Sequence, residues 1–171
     1  MAPLNVLFMC TGNSARSIMA EALLNHLGGG RFRADSAGSL PTGRVNPLAL
    51  ESLDKAGIAV GDPESKSWDV FVTDDAPAIG VVVTVCDSAA AETCPVWPGR
   101  PTTVHWGFAD PAAHEGSEDQ RRAEFERVFK QIEECVGAFL AATEGGIGFA
   151  EMAAVLRDVG ARAGQLRDGN G

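Results

Sequence analysis

A chain of 171 residues, 45% apolar and 22% charged, has the size and composition of one soluble globular domain with a sizeable core. Its formal net charge of −9 speaks against nucleic acid and anionic membrane surfaces as partners. It also means that an anionic substrate must be held by local donors, against the field of the whole molecule. No apolar run reaches membrane-spanning length, and the N-terminus enters a strand pattern at once without the layout of a signal peptide, so a cytoplasmic protein is expected. In that reducing compartment the four cysteines, Cys10, Cys86, Cys94 and Cys135, point to thiol chemistry more than to structural disulfides. Their spacing fits no common zinc pattern, and the histidines are His26, His105 and His114; no metal and no bound cofactor are expected.

The first strand is expected over residues 4 to 9. It delivers Cys10 to a tight turn, Thr11-Gly12-Asn13-Ser14-Ala15, and a helical pattern begins at Arg16-Ser17. At such a junction the backbone N–H groups of residues 11 to 16 have no helical partner. They form an anion-binding nest at a helix N-terminus, where the macrodipole favours negative charge. Arg16, six residues after Cys10, can fold its planar guanidinium over the same cavity and hold a tetrahedral oxyanion bidentately. The same donors favour a thiolate, which would make Cys10 acidic and nucleophilic, and Ser17 is placed to add a hydroxyl hydrogen bond to its sulfur.

Cys10-x5-Arg16-Ser17, with Gly12-Asn13-Ser14 inside it, resembles the phosphate loop of the low-molecular-weight protein tyrosine phosphatases, and more closely that of their arsenate-reductase relatives. The resemblance covers about residues 4 to 141. It implies an α/β fold of three layers, a four-stranded parallel sheet flanked by helices, with Thr11 to Ser17 as the oxyanion-binding loop.

Helix one is expected from Ser17 to Leu27, burying Met19, Leu23 and Leu27, and Gly28-Gly29-Gly30 ends it. His26 belongs on the surface of its last turn. Phe32 to Ser36 reads as strand two; strand, helix, strand makes a parallel pair with a right-handed crossover. Ligands gather at the carboxyl ends of such strands, where Cys10 and Ser36 both fall. Ser36 is either a turn residue or, as the resemblance implies, the hydroxyl behind the loop that hydrogen-bonds Asn13. Asn46-Pro47 starts a helix as cap and first residue, carrying Leu48, Ala49, Leu53 and Ala56 inward before Gly57. Lys66 reads as a solvated lysine, with a contribution to a local positive potential as the alternative, and Asp74-Asp75-Ala76-Pro77 as a turn or short helical piece.

Val81 to Val85 is β-branched and apolar on both faces, as a central parallel strand should be, and brings Cys86 to the same sheet edge as Cys10. An alanine-rich segment, 87–93, follows and ends at Cys94-Pro95. If helical, it sets the Cα atoms of Cys86 and Cys94 about 12 Å apart. A disulfide needs roughly 4.4–6.8 Å, so joining those two cysteines would require the segment to unwind; the alternative is a loop with two unrelated cysteines. Thr102 to His105 makes a fourth strand, with His105 and Trp106 packing the loop after it. Asp110-Pro111 follows, an extended dipeptide that can project a carboxyl group, and the resemblance implies Asp110 as proton donor. A long helix runs from Ser117 to Leu140 with an apolar stripe from Phe125 to Leu140, on which Cys135 is an inert core residue. Gly145-Gly146 breaks the chain. Residues 143–171 form an extension beyond a domain of residues 1–142, with an amphipathic helix from Phe149 to about Ala163. That helix docks on the domain or on a second subunit, and the chain after Arg167 is expected to be disordered.

A tyrosine phosphatase of this family would carry tyrosines just after the acid Asp-Pro. This chain has Ala112-Ala113 there and no tyrosine at all, whereas it has Cys86 and Cys94, which phosphate-ester hydrolysis does not need. The run Val83 to Ala89, with Cys94-Pro95 and His105-Trp106-Gly107-Phe108, resembles the thiol-relay arsenate reductases. The resemblance implies that Cys10 attacks bound arsenate while Asp110 protonates the departing oxygen, that Cys86 then attacks Cys10, and that Cys94 attacks Cys86. An external thiol system, thioredoxin or alternatively glutaredoxin with glutathione, would reset the enzyme. An aryl-phosphate phosphatase and a non-catalytic oxyanion- or arsenite-binding module are the competing readings.

Overall fold

A computed structural model describes residues 2–91 and 97–169; Cys94 and the end of the 87–93 segment lie outside the described residues. Four strands, β1 (Leu4–Cys10), β2 (Phe32–Gly38), β3 (Val81–Thr84) and β4 (Thr102–His105), form one parallel sheet in the order β2-β1-β3-β4. Among the described residues five α-helices accompany them: α1 (Arg16–Leu27), α2 (Pro47–Lys55), α3 (Asp87–Ala91), α4 (Glu118–Ala142) and α5 (Phe149–Gly169). Strand alternation divides the core. Val6, Phe8, Val81 and Val83 pack with α1, α4 and α5, while Leu7, Met9 and Val82 meet Phe71, Ile79 and Trp97 on the other face. Both faces are covered, which is why β1 and β3 are continuous apolar runs and not alternating ones. The expected α/β fold with a four-stranded parallel sheet is therefore what the chain adopts.

Local chemistry sets the helix starts. Asn46 accepts the Leu48 N–H at 2.9 Å with Pro47 as first helical residue, and Ser117 with Gln120 closes a reciprocal capping box on α4. α4 buries Phe125 to Leu140 as one stripe that includes Cys135. At its other end Arg31 donates to the Thr143 and Leu140 carbonyls, a cation where the helix dipole is negative.

Three expectations change. α1 is covered nearly all round in its first two turns and emerges at its last, so Leu27 is 44% exposed and Leu24 is buried in its stead. Ala56 lies past the end of α2 and is exposed, and Ile58 fills the core place. α5 runs on to Gly169, so the helix continues through Asp168 where disorder is expected after Arg167.

α5 docks on its own domain. Leu156, Val159 and Ala163 are buried, and the Trp106 indole N–H donates to the Leu156 carbonyl at 2.9 Å. Gly160 permits this approach, since a Cβ there would overlap the His105 carbonyl oxygen. No helix among the described residues is long and apolar enough to cross a membrane.

Candidate active site

Cys10 is the last residue of β1, paired with Gly38 of β2. The loop after it is held from outside by its carbonyls. Leu40 N–H donates to Thr11 O at 3.0 Å, Thr42 N–H to Gly12 O at 3.0 Å, and Asn46 N–H to Ser14 O at 2.8 Å. The Ser65 hydroxyl adds a bond to Gly12 O at 3.1 Å. Because peptide units are planar, carbonyls drawn outward turn the Gly12, Asn13 and Ala15 N–H groups away from those partners and toward the cavity. The nest is thus built by the segment 38–46 and by Ser65, neither of which belongs to the loop itself.

Asn13 is the brace. It is fully buried and left-handed, at φ 46°, a conformation that asparagine tolerates better than most residues. Its amide donates to Ser17 Oγ at 2.8 Å and Ser36 Oγ at 3.0 Å, and its oxygen accepts the Lys66 backbone N–H at 2.8 Å. Ser36 therefore lies behind the loop on Asn13. Ser17, expected to offer its hydroxyl proton to the Cys10 sulfur, receives the Asn13 amide on its oxygen. Gly38 allows the loop to sit on β2, because a Cβ there would overlap Thr11 O and come within 2.8 Å of Cys10 O. Beneath, Ser36 donates to Glu21 at 3.1 Å. Burial pushes the Glu21 carboxyl up to about 7, against Lys66 and the Ser36 hydrogen bond. Lys66, read above as solvated, is half-buried.

The cavity measures about 290 Å³ and is lined by loop residues together with Arg16, Thr42, Cys86, Ser88, Asp110 and Ala112. Arg16 donates to the Phe108 carbonyl at 2.9 Å and lies 3.8 Å from an Asp110 oxygen. The loop after β4 thereby fixes the guanidinium across the cavity wall. Asp110 accepts the Ala112 N–H at 3.0 Å and stands half-exposed at the mouth. Thr42, Ser88 and Gly38 went unread in the sequence, since nothing in their local pattern marks them; only the crossing of distant segments places them here.

Cys86 follows β3, whose end is extended by Val85 N–H donating to Met9 O at 2.9 Å. Cys10 and Cys86 are both buried and both free. A hydrogen bond from the Cys10 thiol is the chief reason the Cys86 pKa is lowered. Against burial, the backbone of Ala89 and Thr11 and the charge of Arg16 lower it further. The Ala89 N–H lies 3.4 Å and the Thr11 hydroxyl 3.8 Å from that sulfur. Cys10 is pushed up, by the same hydrogen bond and by burial, against Arg16 and the Gly12 backbone. Arg16 and the Gly12 backbone thus act on Cys10 in the direction expected, while the neighbouring Cys86 thiol couples the ionisation of the two. Cys135 is far from this, fully buried in α4, its thiol pushed up to about 12 by burial. Among the described residues no group of three or more His, Cys, Asp or Glu is arranged to hold a metal ion.

A parallel α/β sheet with an oxyanion nest, a cysteine and an arginine at its carboxyl edge defines a class of cysteine-dependent oxyanion enzymes. Residues 5–146 match the family described as low molecular weight phosphotyrosine protein phosphatase, and the chain belongs to that family. Among its relatives, the arsenate reductase of Bacillus licheniformis is 37% identical over 139 residues, 81% of this chain and 96% of that protein. Arsenate reductase 1 of Staphylococcus epidermidis is 38% identical over 134 residues, covering 78% and 93%. Of solved structures, an arsenate reductase from Archaeoglobus fulgidus superposes with a TM-score of 0.54 at 32% identity, covering 77% of this chain and 98% of that one. The thioredoxin-dependent arsenate reductase Cg_ArsC1' of Corynebacterium glutamicum gives a TM-score of 0.54 at 30% identity, over 80% and 63%.

Proposed function

We propose that this protein is an arsenate reductase of the low-molecular-weight phosphatase family, acting in the cytoplasm through a thiol relay. One observation carries the reading: a second buried free thiol, Cys86, lines the same oxyanion cavity as Cys10. Ester hydrolysis has no use for that thiol, whereas reduction of As(V) requires two electrons, which two thiols provide.

Arsenate enters the nest, held by loop N–H groups and Arg16. As Cys10 attacks arsenic, its proton passes to the Cys86 sulfur it already touches. Asp110 protonates the leaving oxygen, which departs as water, and a Cys10–S–As bond remains. Cys86 then attacks the Cys10 sulfur. An S–S bond forms, the S–As bond breaks, and its electron pair stays on arsenic, which leaves as arsenite carrying the Cys86 proton. Cys94 next attacks Cys86, forming a Cys86–Cys94 disulfide and freeing Cys10. A dithiol reductant resets it, thioredoxin being favoured by the C. glutamicum relative and glutaredoxin with glutathione being the alternative. Residues 1–142 are the catalytic domain in this reading and 143–171 its extension.

Arsenate-dependent NADPH oxidation coupled through thioredoxin and its reductase tests it. Wild type is expected to turn over, Cys86→Ser to show none, and Cys94→Ser to stop after one stoichiometric cycle. Turnover of Cys94→Ser with glutaredoxin and glutathione would shorten the relay to Cys10 and Cys86. Silence in every coupling system together with aryl-phosphate hydrolysis would make the protein a phosphatase.

A further inference from the structure

The relay asks the Cys86 segment first to hold its sulfur against Cys10 and later to release it. The described part of α3, Asp87–Ala91, follows Cys86 directly. Its first residue, Asp87, is 74% exposed, yet its carboxylate is gripped from two sides. His105 Nε2 lies 3.0 Å from one oxygen, and Arg167 Nη1 lies 3.1 and 3.2 Å from the two. His105 is itself tied through Nδ1 to Thr84 Oγ1 of β3 at 2.8 Å. Arg167 stands near the end of α5, with Asp168 holding its Nε at 3.1 Å. The crossing has been given room: a Cβ on Gly107 would come within 2.8 Å of both Arg167 Nη1 and His105 Nε2. The family match ends at residue 146, so Arg167 is supplied by a segment outside the span shared with the family.

We propose that Arg167 is a positioning residue for the relay: through Asp87 it latches the segment bearing Cys86 to β4 and α5, and so keeps the Cys86 sulfur on Cys10. The C-terminal extension is then part of the redox apparatus. The step it serves rests on the arsenate-reductase reading, but the latch is a property of the reduced protein with no anion bound. An exposed ion pair of this kind biases the closed segment by a factor of about two to five. That is strong enough to favour closure and weak enough to open within a catalytic cycle.

Reduced full-length protein, free of arsenate, is treated with iodoacetamide and the label is mapped by mass spectrometry. Cys86 is 3% exposed, so its labelling reports opening of the segment. Arg167→Ala is expected to speed Cys86 labelling two- to fivefold with Cys135 unchanged, and Arg167→Lys to restore most of the protection. Asp87→Asn, which also weakens the His105 contact, should label at least as fast as Arg167→Ala, and adding Arg167→Ala to it should speed labelling no further. With arsenate and no reductant, single-turnover thiol loss in Arg167→Ala should fall by less than the rise in labelling, since it follows the closed fraction, at an unchanged half-saturating arsenate concentration. A folded Arg167→Ala protein whose Cys86 labels at the wild-type rate overturns the latch, as do additive effects of the two single variants. If wild type loses no thiols with arsenate, the arsenate-reductase reading falls, and the labelling comparison still decides the latch.

Discussion

Cys10 ends a seven-residue strand paired on both sides, and the loop after it is tied by backbone and side chain to β2, to residues 40–46 and to residues 65–66. Cys86 stands instead between a four-residue strand and a helical turn whose first residue is held by exposed ion pairs. The difference suits what the proposed relay asks of each thiol. An oxyanion nest works by being organised before the substrate arrives, so that no donor has to move at the moment of reaction. In the proposed relay Cys86 has to meet two partners in turn, and a segment held by exposed ion pairs opens at low cost. Rigidity and looseness are thus set side by side at one sheet edge.

The contrast can be broken most severely at Arg16. Arg16→Lys removes the planar fork and the bond to Phe108, and arsenate turnover is expected to fall about 10²- to 10³-fold, the usual cost of losing a donor to developing charge. Steady-state coupled assays check it, and a loss below tenfold would mean the backbone nest suffices. Asn13→Ala strips partners from Ser17, Ser36 and the Lys66 N–H and places alanine at positive φ. Unfolding in urea should show a loss of about 3 kcal/mol, with turnover falling alongside because the nest loses its shape.

Glu21 sharpens the same point through pH. Its carboxyl titrates at about 7 in the folded chain against an ordinary 4.5, so the native state holds the extra proton between those values. The stability it contributes is fully present below about 4.5, is lost as pH rises through about 7, and is level above that. At 1.36 kcal/mol per pH unit the fall is about 3 kcal/mol. Glu21→Gln should flatten this slope in urea midpoints measured from pH 4.5 to 8 and be more stable than wild type at the alkaline end. An unchanged slope would mean that the carboxyl ionises at its ordinary pH. The smallest effect is expected at Cys135, a fully buried thiol with no part in the relay. Cys135→Ala should cost about 1 kcal/mol in stability and leave turnover unaltered, against the total loss at Cys86; a lost turnover would bring a fourth thiol into the chemistry.

What the chain declares locally, it declares well. The β-branched run of β3, the Asn46-Pro47 start of α2, the apolar stripe of α4 and the strand–loop–helix around Cys10 each rest on neighbours in sequence, so their physics is contained in a short window. The nest could be read for the same reason, since Cys10, Gly12 and Arg16 share one turn. Tertiary structure alone decided that Asn13 would be braced by Ser36 and Lys66, that Gly38 would lie under Thr11, and that Cys86 would line the same cavity as Cys10. Each depends on groups 20 to 80 positions apart meeting in space, and no periodicity encodes such a meeting. The tail shows the division most clearly. Its helix is legible as an apolar pattern from Phe149 onward, but that Arg167 reaches Asp87 across 80 residues follows only from how α5 crosses β4 at Gly160.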